Sequence, residues 1–530
     1  MPSLDIEILD ASSIGLNRDV KPHLLLSEAW SYLLNVRAKE GQLEWLGAKS
    51  QVFGTPTQAP YFGAMIRAAD GSRFFVYFSL TDAYCVNQLL VHTEITRAAG
   101  GYTGIDAAHF NHTVLGGIPI FNNGVDRPQY WSPVGTTQLL QNLPNIPSNE
   151  TARVFRAFGP YLCAYNVTIG ATAYPHMIHW SHPTDPGAVP SSWDEADPTV
   201  DAGKNDLSDV DSGVILEARG LRGQMYIYKE NSTWLQRIIG GRFVFSFDTF
   251  LETVGTLAPR CVATTGNGKY HFVATQDDLI IHDGASVTPL LTGRMRETIF
   301  GGIDTNNYQQ SFCFCKPDTS EMWFCYPETG SSVPNRALIW NYGVKSELGL
   351  LTEAEVDFQA ASIVDMDAGD TDTWDGSGSD PWDTDSTYWD KVSRRKTVVM
   401  RPTAEKILQL DSGSNNDGAA ITSTMQRTGL ALVGQKRDGT PINDFAQVKM
   451  VKRVWIRADG NPFNVRLGMQ ETVNGALVWS GAEVFDPATQ LYVDIIVTGP
   501  VLAIEFSGIL TFSIQGYKLE ISPAGRVMPL

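Results

Sequence analysis

The chain has 530 residues and a net charge of −18, with 43% hydrophobic and 18% charged residues. These values exclude a disordered chain and a coiled coil, and the acidic balance excludes a basic surface spread over the whole chain for gripping nucleic acid. The 48 glycines, 28 prolines and 10% aromatic residues favour many turns between short strands.

The six cysteines form no CxxC pair, which argues against a zinc site and favours reduced thiols in the core. The first residues lack the basic and apolar regions of a signal peptide, and no apolar run approaches the length of a membrane span. We therefore expect a protein that is synthesised in a cytoplasm and is soluble there.

Residues 1–50 are predicted to form an N-terminal segment with one short helix. Ser27 could cap this helix, and Gly41 would end it. Four apolar residues recur between them at helical spacing: Leu26, Trp30, Leu33 and Leu34.

Residues 51–364 are predicted to form a β-propeller. Short apolar runs such as Phe74–Phe78, Tyr161–Tyr165 and Met322–Tyr326 alternate with turn sequences such as Arg222-Gly223, which is typical of successive antiparallel hairpins. The region holds too many hairpins for one sandwich, and sheets arranged radially would bury them best.

Residues 365–395 are predicted to be an exposed acidic linker. Nine aspartates and no lysine or arginine lie between Asp365 and Asp390. An EF-hand pattern starting at Asp365 fails, so a solvated loop is preferred over a calcium site, which stays the alternative. The loop also carries a Trp-Asp repeat, and an exposed tryptophan is costly unless it packs on something. We therefore predict that three residues anchor the loop or an assembly contact: Trp374, Trp382 and Trp389.

Residues 396–530 are predicted to form a C-terminal β-sandwich domain. Apolar residues alternate strictly in Phe463–Met469, in Leu502–Phe506 and in Tyr517–Ile521. Hairpin turns are expected at Asp459-Gly460 and at Asn474-Gly475. The predicted fold class is all-β: a β-propeller with an additional C-terminal β-sandwich-like domain.

No pattern selects catalytic, cofactor-binding or metal-binding residues. His176, His179 and His182 would alternate between the two faces of a strand, which is poor geometry for one metal. A glycan-cleaving propeller would need arginines, an acid and a tyrosine at its axis, and no local spacing selects them. The sequence therefore predicts a protein without cofactor that is not an enzyme.

Several segments, in this order, resemble the tail nozzle (tail tubular) and hub proteins of short-tailed bacteriophages. The first group is Gly15–Asp19, Phe121–Pro128, His179–Pro190 and Ser192–Asp194. The second is Tyr226–Glu230, Phe243–Phe247, His271–His282, Glu321–Pro327 and Asn335–Asn341. The third is the Trp-Asp repeat, Ile514–Glu520 and Gly525-Arg526. Together these segments span most of residues 15–526.

This resemblance implies a propeller with added β-domains, six copies in a ring and a central DNA channel, with no catalytic residues to carry over. Its implied partners are further copies, adaptor or other tail ring proteins, tail fibres and DNA that passes without sequence-specific binding. The implied location is the virion tail, after synthesis in the host bacterial cytoplasm. Acidic side chains could line the channel and repel DNA, or provide solubility alone. The alternatives are a glycan-binding propeller or adhesin, and a glycan-cleaving propeller.

Overall fold

The computed structural model describes residues 4–39, 41–208, 213–240, 243–291, 293–343, 349–366, 395–413, 415–435 and 441–526. Within these ranges the chain folds as strands, with one α-helix, Gly293–Phe300. Its four 3₁₀ turns are Pro22–Leu24, Ala107–His109, Tyr308–Gln310 and Pro402–Ala404. No described helix has the length and apolar character needed to span a bilayer. The predicted all-β class is confirmed.

The described residues form seven four-stranded antiparallel units, which we number blades 1 to 7 in chain order. Blade 1 contains Phe62–Arg67, Arg73–Phe78, Ala83–Val86 and His92–Glu94; blade 2 contains Asn111–Leu115, Ile118–Asn122, Gln129–Tyr130 and Gln141–Asn142. Blade 3 contains Glu150–Phe158, Tyr161–Ile169, Thr172–Trp180 and Gly203–Asp206; blade 4 contains Ile215–Leu221, Gln224–Lys229, Thr233–Ile238 and Phe245–Leu251. Blade 5 contains Val262–Thr264, His271–Ala274, Leu279–His282 and Val287–Pro289; blade 6 contains Phe312–Lys316, Glu321–Tyr326, Arg336–Asn341 and Leu350–Glu355. Blade 7 contains Ala360–Val364, Lys396–Arg401, Lys406–Leu410 and Lys49–Gln51.

Local turn chemistry explains how the chain reverses within a blade. In blade 4 the first two strands, Ile215–Leu221 and Gln224–Lys229, are joined by Arg222-Gly223, and both turn residues have positive φ (52° and 77°). A two-residue turn with this backbone matches the twist of the flanking strands, and glycine adopts it without strain. The predicted hairpin at this position is confirmed.

A strand from the N-terminal segment closes the propeller. Lys49–Gln51 pairs antiparallel with Lys406–Leu410 as the outermost strand of blade 7. The Lys49 ammonium, which is buried, lies 2.5 Å from Asp357 Oδ1 and 5.4 Å from the centre of the Phe358 ring. The ring of blades is therefore closed by the pairing of Lys49–Gln51 with Lys406–Leu410. It extends beyond both predicted domain bounds, 51 and 364.

Most of the remaining strands form a β-sandwich that uses both ends of the chain; two separate two-stranded sheets pair Gly15–Leu16 with Ala29–Trp30 and Leu432–Gln435 with Pro441–Asn443. One sheet contains Leu4–Ile8, Val36–Lys39, Gln42–Trp45, Gln447–Gly460, Tyr492–Val493, Val497–Gly499 and Phe512–Arg526. The other contains Tyr32–Leu34, Ser423–Leu430, Phe463–Gln470, Val478–Trp479, Glu483–Phe485 and Val501–Gly508. Apolar residues from both sheets share one core, which includes Ile6, Leu33, Val465 and Leu519. The additional C-terminal β-domain is thus completed by the N-terminus.

The helix predicted from Leu26, Trp30, Leu33 and Leu34 is wrong. A 3₁₀ turn, Pro22–Leu24, is followed instead by the strands Ala29–Trp30 and Tyr32–Leu34. Tyr32–Leu34 pairs with Ser423–Leu430, so its backbone hydrogen bonds go to a strand nearly 400 residues away. Pairing of this kind overrides a local helical period.

The sandwich and the propeller are joined through blade 6. Its outermost strand, Leu350–Glu355, lies beside Tyr32–Leu34, and the Asn35 amide donates to the Glu353 carbonyl at 2.8 Å. Arg18 clasps the Glu353 carboxylate with two hydrogen bonds of 2.7 and 2.8 Å. The two parts therefore share one continuous ten-stranded sheet.

Candidate functional site

A cavity of about 790 Å³ lies on the propeller axis. It is lined by residues on the first strand of every blade, from Phe62 in blade 1 to Ile363 in blade 7. Innermost strands of a propeller surround its axis, so chemistry from distant parts of the chain converges there. This cavity is the candidate functional site.

Two 3₁₀ turns from distant parts of the chain contact each other. Ala107–His109 leads into blade 2 and Tyr308–Gln310 leads into blade 6, and the two turns contact each other. The Gln310 side chain donates to Asp106 Oδ2 at 2.9 Å. Burial raises the pKa of Asp106, but the hydrogen bonds from His109 and Gln310 outweigh it and hold that pKa at about 2. An ionised carboxylate thus ties the two turns together.

Charge in the cavity wall is unbalanced. Four arginines line it, with one acidic residue, Glu217: Arg156, Arg219, Arg222 and Arg260. Arg156 is fully engaged, because its Nη2 donates to Glu217 Oε1 at 2.6 Å and its Nε donates to the Ala218 carbonyl at 2.8 Å. Glu217 is therefore already used by Arg156, and Arg222 pairs with Asp283 at 3.5 Å. The excess positive charge of the wall comes from Arg219 and Arg260.

Arg260 and Arg219 differ in how they are held. Arg260 donates to the Gln359 carbonyl at 3.1 Å and stacks 5.0 Å from the centre of the Phe312 ring. Burial lowers its pKa to about 10. Arg219 donates no hydrogen bond to any described residue and forms no ion pair with one, and its Nε is buried without a partner. Burial lowers the pKa of Arg219, and Glu217 only partly opposes this.

His112 adds no charge to the cavity at neutral pH. Burial and the positive charges of Arg156 and Arg219 lower its pKa to about 4. Its ring lies 5.6 Å from the ring of Phe62, which in turn stacks on Phe110 at 5.9 Å. The cavity therefore combines guanidinium groups with aromatic faces.

A hydrogen-bond relay lies behind the wall, between blades 4 and 5. His271 Nε2 donates to the Gly220 carbonyl at 3.1 Å, so its Nδ1 is the acceptor for the Tyr228 hydroxyl at 2.7 Å. The Tyr228 oxygen then accepts from His282 Nε2 at 2.6 Å. Burial lowers the pKa of His271 to about 3 and that of His282 to about 4. Both imidazoles are thus neutral when folded.

We predict that this relay makes the propeller sensitive to acid. Both histidine pKa values are lowered by folding, so the unfolded chain binds more protons below about pH 6.5 and stability falls as pH falls from 6.5 towards 4. At pH 5 each neutral histidine should lower the free energy of unfolding by about 2 kcal/mol relative to its value at neutral pH. Melting temperatures measured from pH 8 to 4.5 test this: His282→Asn should reduce the slope below pH 6.5 by about a third, because His112 and His271 have lowered pKa values too, and should leave it unchanged above pH 7. An unaltered acid slope would contradict the relay.

Among the described residues, the histidine singled out from the sequence, His179, does not line the cavity. Trp374, Trp382 and Trp389 lie outside the described residues. His179 is buried and uses both ring nitrogens, one with Glu150 and one 2.9 Å from the Trp193 carbonyl. Among the described residues no group of three histidine, cysteine or acidic side chains could hold a metal. All six cysteines are buried as free thiols, as predicted.

The arginine cluster was missed because its members come from different blades. Arg156 belongs to blade 3, Arg219 to blade 4, and Arg260 precedes blade 5. One local signal was present: Glu217 and Arg219 are charged residues at alternate positions of an otherwise apolar strand, Ile215–Leu221, and therefore share a face.

Comparisons with known proteins concern the fold. No protein-family model matches the chain, and no curated protein matches it. Three of the similar solved structures are as follows. Virginiamycin B lyase from Staphylococcus aureus is 11% identical, with a TM-score of 0.37, covering 68% of this chain and 97% of that one. An exo-β-1,3-galactanase from Phanerochaete chrysosporium is 8% identical, with a TM-score of 0.29, covering 90% and 100%. PorZ, a surface component of the type-IX secretion system of Porphyromonas gingivalis, is 8% identical, with a TM-score of 0.34, covering 84% and 47%.

These matches correct one prediction. The lyase and the galactanase are enzymes by their descriptions, so the inference that this chain is not an enzyme is wrong. The axis also holds the arginines and the acid that no local spacing selected. The chain is a β-propeller protein of a fold used by enzymes and by binding proteins alike.

Proposed function

We propose that this chain is a structural component of the tail of a short-tailed bacteriophage, a nozzle or hub ring through which DNA leaves the particle. The observation that carries the proposal is the ordered set of resembling segments between residues 15 and 526. Support comes also from the architecture, because a propeller with an added β-domain is what that resemblance implies.

Exposed apolar side chains on the sandwich support assembly. Within residues 478–496 four large aliphatic residues are more than half exposed: Val478, Val484, Leu491 and Ile496. They lie on or beside strands at the outer edges of the two sheets. Exposed apolar residues grouped in this way are typical of surface that a neighbouring subunit covers. In a ring of six copies such a surface would meet a different surface of the next copy.

The DNA path in this proposal runs between the copies, not through a propeller. The axial cavity is lined by arginines. Arginines that bind DNA phosphates release the counterions of the DNA, and this release strengthens binding. A channel lined by arginines would therefore hold DNA instead of letting it slide. The net charge of −18 leaves ample carboxylates to face a lumen between subunits.

A genetic experiment tests the proposal. An amber codon placed early in this sequence, in the phage genome that encodes it, should yield DNA-filled particles that lack the distal tail and do not infect. Growth in a suppressor host should restore infection. Infectious particles with an unchanged tail in the nonsuppressing host would contradict the proposal.

One observation favours the alternative, a glycan-binding propeller or adhesin. The axial cavity pairs arginines with the rings of Phe62, Phe110 and Phe312, and aromatic faces beside polar groups are common in small-molecule sites. In that case the amber particles would carry complete tails but fail to adsorb to cells. The same experiment thus separates the two functions.

A further inference from the structure

The guanidinium of Arg219 is poised for a ligand. It lines the axial cavity, and among the described residues no carboxylate or carbonyl accepts a hydrogen bond from it. Its Nε is buried and has no partner. The two terminal nitrogens are not among the buried unpartnered atoms, so a ligand can reach them. A buried cationic group without partners lowers the free energy of unfolding. A protein that retains such a group at a cavity has a site where an anion could supply the missing partner.

The other charged groups facing Arg219 do not satisfy it. Glu217 is bound to Arg156 at 2.6 Å, and His112 is neutral at physiological pH. Arg222 pairs with Asp283 at 3.5 Å, whereas Arg260 contacts a carbonyl and the Phe312 ring and adds positive potential to the cavity. Low-dielectric walls strengthen the field of such a cluster.

We propose that the axial cavity binds a small organic anion, with its carboxylate or phosphate group on Arg219. Arginine presents paired donors that match a planar carboxylate or a phosphate. The remainder of the ligand would lie against the aromatic wall formed by Phe62, Phe110 and Phe312. A volume of about 790 Å³ accommodates a ligand built on a ring, such as an acidic or phosphorylated monosaccharide. This binding is independent of whether the chain assembles into a tail.

Calorimetric titration of the full chain with four probes tests the site. Inorganic phosphate, glucose 6-phosphate and glucuronate should bind, and uncharged glucose should not. Tighter binding of glucose 6-phosphate identifies a phosphate ligand, and tighter binding of glucuronate identifies a carboxylate ligand. Arg219→Ala should weaken binding of the anions about 10- to 100-fold, because it removes charge-assisted hydrogen bonds.

Two further variants keep the test decisive. Arg453→Ala removes one positive charge from an exposed ion pair with Asp494 on the sandwich and should leave binding unchanged. Arg219→Met should raise the melting temperature of the ligand-free protein, because it removes a partly buried charge that makes no hydrogen bond. It should also abolish the stabilisation that the anions give to the parent. Equal binding by the Arg219 and Arg453 variants, binding of glucose as tight as that of the anions, or no binding of any anion would overturn the proposal.

Discussion

Replacing Glu321 with alanine is expected to lower the free energy of unfolding by about 3 kcal/mol. Glu321 is fully buried in blade 6, where its carboxylate is paired with the Arg37 guanidinium and accepts from Trp323 Nε1 at 3.1 Å. Arg37 belongs to the sandwich strand Val36–Lys39 and is itself buried. Removing one partner of a buried pair leaves the other charge poorly compensated.

The loss is expected at the lower end of the range for such pairs because Asp411 still faces Arg37. Its carboxylate lies 2.9 Å from Arg37 Nη2 and 2.5 Å from the ammonium of buried Lys316. Burial raises the pKa of Asp411, but the two cations outweigh this and hold it below its usual value. This network links the sandwich, blade 6 and the end of blade 7.

Urea unfolding followed by circular dichroism measures the effect. The matched control is Glu7→Ala, which breaks the exposed ion pair with Arg457 at 3.4 Å and should cost less than about 1 kcal/mol. The loss of unfolding free energy in Glu321→Gln should lie between the losses in Glu321→Ala and Glu7→Ala, because glutamine keeps the shape of the side chain. If Glu321→Ala and Glu7→Ala unfold at the same urea concentration, the network does not hold the two parts together.

Replacing Trp30 with alanine is expected to cost about 3–5 kcal/mol and to melt the sandwich first. The indole is 2% exposed, and its Nε1 donates to the Ala11 carbonyl at 2.7 Å. Its ring packs against Phe506 and Tyr517, at centroid distances of 6.2 and 6.0 Å. The substitution therefore opens a cavity at the point where the N-terminal segment enters the C-terminal core.

Hydrogen exchange locates this effect. Strands Val501–Gly508 and Phe512–Arg526 should lose protection in Trp30→Ala, while blades 1 to 4 keep theirs. Trp479→Ala, at the edge of the same domain where the ring contacts Arg466, should cost less than half as much. Uniform loss of protection over both parts would contradict a separate role for Trp30 in the sandwich.

Much of the fold was predictable because its signals are local. Hairpins such as the one at Arg222-Gly223 can be predicted from turn residues that lie between two apolar runs. The strict alternation in Phe463–Met469 places Phe463, Val465 and Leu467 on the buried face, as the period of a strand requires. The succession of such hairpins predicted the propeller.

Other features depend on pairing between distant residues and leave no local trace. Nothing near Lys49 indicates that it joins a strand ending at Leu410. Trp30 and Leu33 recur at helical spacing, yet both are buried in the sandwich core on strands, and the strand that carries Leu33 takes its backbone partners from distant Ser423–Leu430. The same limit hid the candidate site, since Arg156, Arg219 and Arg260 are brought together only when the blades close around the axis.

Electron cryo-microscopy of the purified phage particle tests the central claim most directly. We predict six copies of this chain in one ring of the tail, each with its seven-bladed propeller and attached sandwich, around a DNA channel that runs between the copies. The exposed aliphatic residues within 478–496 should lie in the contact between neighbouring copies. A tail map without this fold, or a ring of three or twelve copies, would contradict the account.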